Sequence, residues 1–286
     1  MKINLFDSNF AHHKTNNSVA YNQHSKYIDW FRGIDKQSET CFITDQWLTR
    51  VNDITNFARK VAWVVEPRAI IPDIYRWVEQ NHKLFDYVLT FDKELASKGD
   101  NFLFYPYGTS NIIDIHSTDW PVKDKMLSII ASDKMFTSGH AFRHQVIKLC
   151  KTRNDIDVYG RGVNPIDKKE DGLKRYMFSI VIENSRDNYY FSEKILDCLI
   201  CRTIPIYWGC DTSQFLNQSS IITFNTQEEL TAILNSLTPD LYYSMVSGLE
   251  ENYKRIIEQD LAIPENWIFT HYPFLFDSNL SKSTKL

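Results

Sequence analysis

Two hydrophobic patterns alternate along residues 176–210, and the rest of the chain reads as built around them. Residues 177–182 form an apolar run rich in β-branched and aromatic side chains, the pattern of a strand buried on both faces. The polar triplet Glu183-Asn184-Ser185 ends it. After a polar loop, Ser192 stands as an N-cap ahead of Ile195, Leu196, Leu199 and Ile200, whose spacing puts one apolar stripe on a helix. Residues 204–208 read as the next strand, which Gly209 stops. Strand, loop, helix and strand predict a βαβ unit, and with it a parallel sheet that binds ligands at the carboxyl ends of its strands.

The same alternation extends in both directions. Residues 2–6, 61–65, 87–91 and 102–105 read as strands and 53–60 and 72–81 as helices. Residues 41–44 read as a strand end that 45–51 continue or turn away from, and an Asn- and His-rich loop fills much of the stretch before residue 36. Further on, 126–131, 157–159 and 221–224 have strand patterns, and 141–151, 227–237 and 241–259 have helical ones. Alternating strands and helices predict an α/β fold. Residues 117–125 are polar, lack a period and contain Pro121, so the linker is expected there. The expected division is 1–118, 119–265 and a tail, 266–286. No internal repeat or low-complexity tract is present.

Composition narrows the function classes. The 286 residues suffice for two separate cores, and a net charge of −4 gives no basic field for a nucleic acid partner. No apolar run is long enough to cross a bilayer, and the first residues lack the apolar core of a signal peptide. Five cysteines, an odd number, do not make a disulfide framework, so a reducing cytoplasm is expected. Cys198 and Cys201 have redox spacing but fall near the apolar stripe of a helix, where buried thiols are the simpler reading. His140 and His144 lie one helical turn apart with no third ligand nearby, and Asp155-Ile156-Asp157 enters a strand instead of ending one, so no metal site is expected.

The candidate chemistry begins at Lys194. It sits in the first helical turn, where the macrodipole disfavours a cation by about 0.3–1 kcal/mol. A bound anion would reverse that sign, so this helix start is either a phosphate or diphosphate seat or the site of a lysine pointing into water. The segments ENSRDNYYFSEK and RTIPIYWG, from 183–194 and 202–209, resemble the donor-binding signature of the family-10 glycosyltransferases, the α-1,3/4-fucosyltransferases. The resemblance extends upstream through Tyr159-Gly160 to Arg143 and covers most of the C-terminal half, whereas the N-terminal half matches weakly.

The resemblance implies a GT-B fold, two Rossmann-like domains with a cleft between them and the tail 266–286 returning to the first, and an inverting transfer of fucose from GDP-fucose to a glycan acceptor without a metal cofactor. By position it assigns Arg143, Tyr159, Gly160, Glu183, Asn184, Tyr190, Glu193 and Lys194 to the donor, with Arg143 and Lys194 at the diphosphate. For Arg143 the residues alone also allow a solvent-facing helix arginine. Glu66, at the end of the strand 61–65 and ahead of Phe85-Asp86-Tyr87, matches the family's general base, although Glu66-Pro67-Arg68 departs from the usual Gly-Glu-Asn. Other readings for this position are an ion pair with Arg68, or Asp45 or Asp92 as the base. Another donor such as GDP-mannose, or a nucleotide-sugar-binding scaffold without turnover, are the alternative functions. Animal and plant members are usually tethered by an N-terminal membrane helix, so the chain resembles the soluble bacterial or viral type, with peripheral membrane association left open.

Overall fold

The computed structural model describes residues 1–8 and 25–276; most of the Asn- and His-rich segment expected to loop lies outside them. The chain packs as two units. The first comprises Met1–Thr109, Asp187–Tyr190 and Ile263–Leu286, and the second Ser110–Arg186 and Phe191–Ala262.

The first unit is a six-stranded sheet of β1 (Lys2–Phe6), β2 (Asp29–Phe31), β3 (Thr40–Thr44), β4 (Arg59–Trp63), β5 (Tyr87–Thr90) and β6 (Phe102–Phe104), ordered β2-β1-β3-β4-β5-β6. Every pairing in it is parallel. Helices α1 (Pro72–Asn81) and α2 (Lys93–Ala96) contribute Tyr75, Val78 and Leu95 to one buried cluster with Val64 and Val88. The helix expected over 53–60 is absent. A 3₁₀ helix, Asp45–Asp53, occupies the stretch before it, and Leu48, Val51 and Ile54 are buried at a spacing of three, the 3₁₀ period. β2 was not expected either: with three residues it is too short to show a period, and it is fixed from afar by a 3.0 Å hydrogen bond from Trp30 Nε1 to Glu265 Oε1. That glutamate lies on the helix Pro264–His271, and the chain beyond it also joins this unit. Thr40 Oγ1 and Arg59 Nη1 donate to Leu275 and Phe274 carbonyls at 2.8 and 2.6 Å.

The second unit is a five-stranded parallel sheet of β7 (Lys125–Ile130), β8 (Ile156–Tyr159), β9 (Tyr176–Ile182), β10 (Ile204–Trp208) and β11 (Ile222–Thr223), ordered β11-β10-β9-β7-β8. β9 is buried at all seven positions, as its unbroken apolar run predicts. Helices α3 (Ser138–Lys151) and α4 (Glu193–Ile200) are the crossovers that follow β7 and β9. The βαβ unit is present as read, with β9 and β10 paired in parallel from Phe178↔Ile204 to Ile182↔Trp208. After α5 (Gln227–Ser236), the single helix expected over 241–259 is two, α6 (Pro239–Ser244) and α7 (Val246–Glu258). The break falls at Met245, three residues before Gly248, where a Cβ would come within 2.3 Å of Ser219 Oγ. Close packing of α7 onto the 218–220 turn thus overrides a continuous helical period. The α/β reading with two parallel, Rossmann-like sheets holds, and among the described residues no helix is long and apolar enough to cross a membrane.

Candidate active site

In the second sheet the strand order reverses between β7 and β9, which makes their carboxyl ends the place where such sheets bind ligands. Thr137 caps α3 there, accepting a hydrogen bond from the His140 N–H. The helix start presses against the end of β9. The Gly139 N–H donates to the Asn184 carbonyl at 3.2 Å, and a Cβ on Gly139 would stand 2.2 Å from the Glu183 carbonyl oxygen, so only glycine fits. One turn into α3, Arg143 is 3% exposed, and its Nη2 donates to the Ile182 carbonyl at 2.6 Å and to Asn184 Oδ1 at 3.1 Å. It is therefore no solvent-facing arginine.

The start of α4 reaches the same strand end. Ser192 caps it as read, its hydroxyl accepting from the Lys194 N–H at 3.3 Å. Glu183, fully buried, accepts the Ser192 N–H at 2.9 Å and the Ser192 hydroxyl at 2.6 Å, and Lys194 Nζ approaches it to 3.3 Å. The anion that the macrodipole favours here is thus supplied by the chain itself. Lys194 does not point into water: Nζ also donates to Ser192 Oγ at 2.9 Å and stands 3.5 Å from Glu193. Burial pushes the Glu193 carboxyl up, but the Lys194 and Lys169 ammonium groups together outweigh it and hold the group well below the usual carboxylate range. Burial, and then the charges of Arg143 and Lys194, lower His140 to about 4. Both cations therefore bear on one imidazole, which Thr137 Oγ1 holds through Nδ1 at 2.8 Å.

Two charged residues that the sequence did not single out extend this cluster. Lys169, in a 3₁₀ turn ahead of β9, lies 3.0 Å from Asp197 Oδ2 and 3.4 Å from Glu193 Oε1. Asp197 is 1% exposed, and its Oδ1 accepts the Ser110 hydroxyl at 2.8 Å and the Asn111 N–H at 2.9 Å. A signal for Asp197 existed, because it sits four residues after Glu193 on the same helical face, amid apolar neighbours. Lys169 carried none, since Lys168-Lys169-Glu170-Asp171 reads as a solvated charge run.

The remaining donor candidates divide. Gly160 adopts φ +122° and approaches the end of β7 so closely that a Cβ would lie 1.7 Å from the Ala131 carbonyl oxygen. The Tyr159 hydroxyl reaches back to Tyr176 Oη at 2.7 Å, and Tyr176 opens β9 opposite Lys125, at the amino end of the sheet. Its side chain is therefore not among the groups gathered at the carboxyl end. Tyr190 belongs to the first unit, 1% exposed, with its ring 5.5 Å from Phe91 and 5.6 Å from Tyr107. Arg143, Glu183, Asn184, Glu193 and Lys194 are brought together.

In the first unit, Glu66 follows β4 at the carboxyl edge, with its backbone fixed on both sides. Its N–H donates to Asp45 Oδ2 at 3.1 Å, and its carbonyl accepts the Tyr75 hydroxyl at 3.2 Å. Asp45, 1% exposed, also takes the Val65 N–H at 2.8 Å. Asp92 caps α2 through the Leu95 N–H at 2.7 Å and meets Arg68 at 3.3 Å, while Arg68 reaches Glu79 at 2.9 Å. Both alternative carboxylates thus have structural bonds of their own. The five cysteines are free and buried, and among the described residues no group of three His, Cys, Asp or Glu side chains is placed to hold a metal ion.

Comparison with known proteins gives relatives in sequence and in fold. Residues 120–246 match the family described as glycosyltransferase family 10 (fucosyltransferase), C-terminal part. The chain is 24% identical over 264 residues to the alpha-(1,3)-fucosyltransferase FucT of Helicobacter pylori, covering 71% of this chain and 54% of that protein. It is 27% identical over 175 residues to the 3-galactosyl-N-acetylglucosaminide 4-alpha-L-fucosyltransferase FUT3 of Bos taurus, covering 55% and 46%. The chain thus spans about half the length of these relatives. In fold it resembles an alpha1,3-fucosyltransferase solved with GDP, at a TM-score of 0.52 and 18% identity over 84% of this chain and 81% of that one. TarM gives a TM-score of 0.57 at 11% identity over 85% and 56%.

Proposed function

We propose, from the match of residues 120–246 to the C-terminal part of glycosyltransferase family 10, that this protein transfers fucose from GDP-fucose to a hydroxyl of a glycan acceptor with inversion. The observation that carries the reading is the convergence of Arg143 and Lys194 on the carboxyl end of β9, at the point where the strand order reverses. A guanidinium fork can bind two phosphate oxygens at once, and a lysine beside a helix start adds a point charge. Together they would stabilise the negative charge that builds on departing GDP. Asn184 and Glu193 offer hydrogen-bonding groups for sugar or ribose hydroxyls. Gly160 lets the chain after β8 pack directly against the Ala131 carbonyl that follows β7. Glu66, held through its backbone, would take the proton from the acceptor hydroxyl as it attacks the anomeric carbon from the face opposite the diphosphate. The free, buried thiols support a reducing compartment, the cytoplasm.

Calorimetry with GDP, UDP and ADP, followed by transfer from labelled GDP-fucose onto a glycan array, tests this reading. GDP is expected to bind in preference to the other two, and Lys194→Ala and Arg143→Ala are each expected to lower transfer by more than about ten-fold while remaining folded. Wild-type rates in both variants would remove the diphosphate assignment. Transfer from GDP-mannose instead of GDP-fucose would change the sugar and keep the site; GDP binding with no turnover on any acceptor would make the protein a scaffold.

A further inference from the structure

We propose that Lys169 is a positioning residue for the donor, acting through Glu193 and Lys194 to keep the diphosphate seat from being cancelled by the chain's own carboxylates. The inference rests on the GDP-sugar reading above. Lys194 Nζ lies between Glu183 at 3.3 Å and Glu193 at 3.5 Å, and Asp197 follows Glu193 by one helical turn. With Lys194 as their only counter-charge, these carboxylates would present a negative seat to an incoming diphosphate.

Lys169 changes that balance. It comes from the turn Lys169–Gly172, outside both α4 and β9, and one ammonium meets Asp197 at 3.0 Å and Glu193 at 3.4 Å. Glu183 has its own donors in the Ser192 N–H and hydroxyl. Each carboxylate therefore has a partner other than Lys194, and with Arg143 on neutral acceptors at the same strand end, three cations stand against three carboxylates where without Lys169 there would be two. Asp197 cannot swing away to water, because Ser110 and Asn111 hold its second oxygen. Lys169 is only 24% exposed and Asp197 1%, so solvent screens this pair weakly.

The test compares the full chain with its Lys169→Met, Lys169→Arg and Asp197→Asn variants, by calorimetry with GDP and by kinetics with GDP-fucose. Lys169→Met is expected to weaken GDP and raise the donor KM by about ten-fold, with acceptor KM nearly unchanged, and Lys169→Arg to recover most of the loss. Asp197→Asn removes a negative charge, keeps an acceptor for Ser110, and is expected to bind GDP at least as tightly as wild type. If Lys169 merely braces the fold, Lys169→Met binds GDP normally at a lower melting temperature and Asp197→Asn weakens GDP; either result overturns the inference alone. A wild-type chain that binds no GDP overturns it together with the reading it rests on.

Discussion

The Lys194 ammonium lies 3.3 Å from the carboxylate of Glu183, a residue with no exposed surface. The positive end of α4 is thus occupied by an anion from the preceding strand, which also binds the Ser192 amide and hydroxyl. Glu183 therefore joins β9 to α4 whether or not a ligand is present. Replacing it with Gln keeps the shape but removes the charge that Lys194 and the helix start both face. Glu183→Gln is expected to cost about 1–3 kcal/mol, read as a melting temperature lowered by several degrees. An unchanged melting curve would mean that this pair holds nothing together.

His140 makes the stability of the second unit depend on pH. It is lowered to about 4 by burial first, then by Arg143 and Lys194, whereas an unfolded histidine titrates near 6.5. Between these values the unfolded chain binds a proton that the folded chain refuses. The stabilising contribution is therefore complete above about pH 6.5 and declines toward pH 4, by at most about 1.4 kcal/mol per pH unit. His140→Gln is expected to flatten this part of the curve in urea unfolding followed from pH 7 to pH 4.5. Parallel curves for the two proteins would refute the assignment.

At Gly160 the backbone alone decides. Its φ is +122°, and a Cβ at this position would stand only 1.7 Å from the Ala131 carbonyl oxygen, so any side chain must move the end of β7. Gly160→Ala is expected to destabilise the protein by at least about 2 kcal/mol and to weaken GDP in whatever fraction still folds. Equal urea midpoints for variant and wild type would show that the loop yields freely.

How much could be read from the chain alone follows the range of the interactions. The βαβ core was legible because β9, the Ser192 cap and α4 are each specified by consecutive residues. Arg143, Asn184 and Lys194 were legible from a family pattern, but not that Glu183 would supply the anion for α4, since this depends on how the strand end meets the helix. Lys169 and Asp197 meet across 28 positions and Trp30 and Glu265 across 235, distances over which no local pattern operates. The 3₁₀ helix Asp45–Asp53 and the break at Met245 likewise reflect packing that outweighs local period.

Glu66 offers the sharpest separation of chemistry from folding. Its N–H and carbonyl are held by Asp45 and Tyr75, two backbone bonds that a change from Glu to Gln leaves in place. Glu66→Gln should preserve the fold and leave GDP binding unchanged, since Arg143 and Lys194, the cations proposed to meet the diphosphate, belong to the second unit. If the carboxylate is the base, kcat falls by about 100-fold or more with donor KM little altered. Asp45→Asn should behave differently, because its carboxylate holds two backbone amides and is 1% exposed: stability falls first, and activity with it. Near-normal turnover in Glu66→Gln, with the Asp45 variant folded but inactive, would move the base to Asp45.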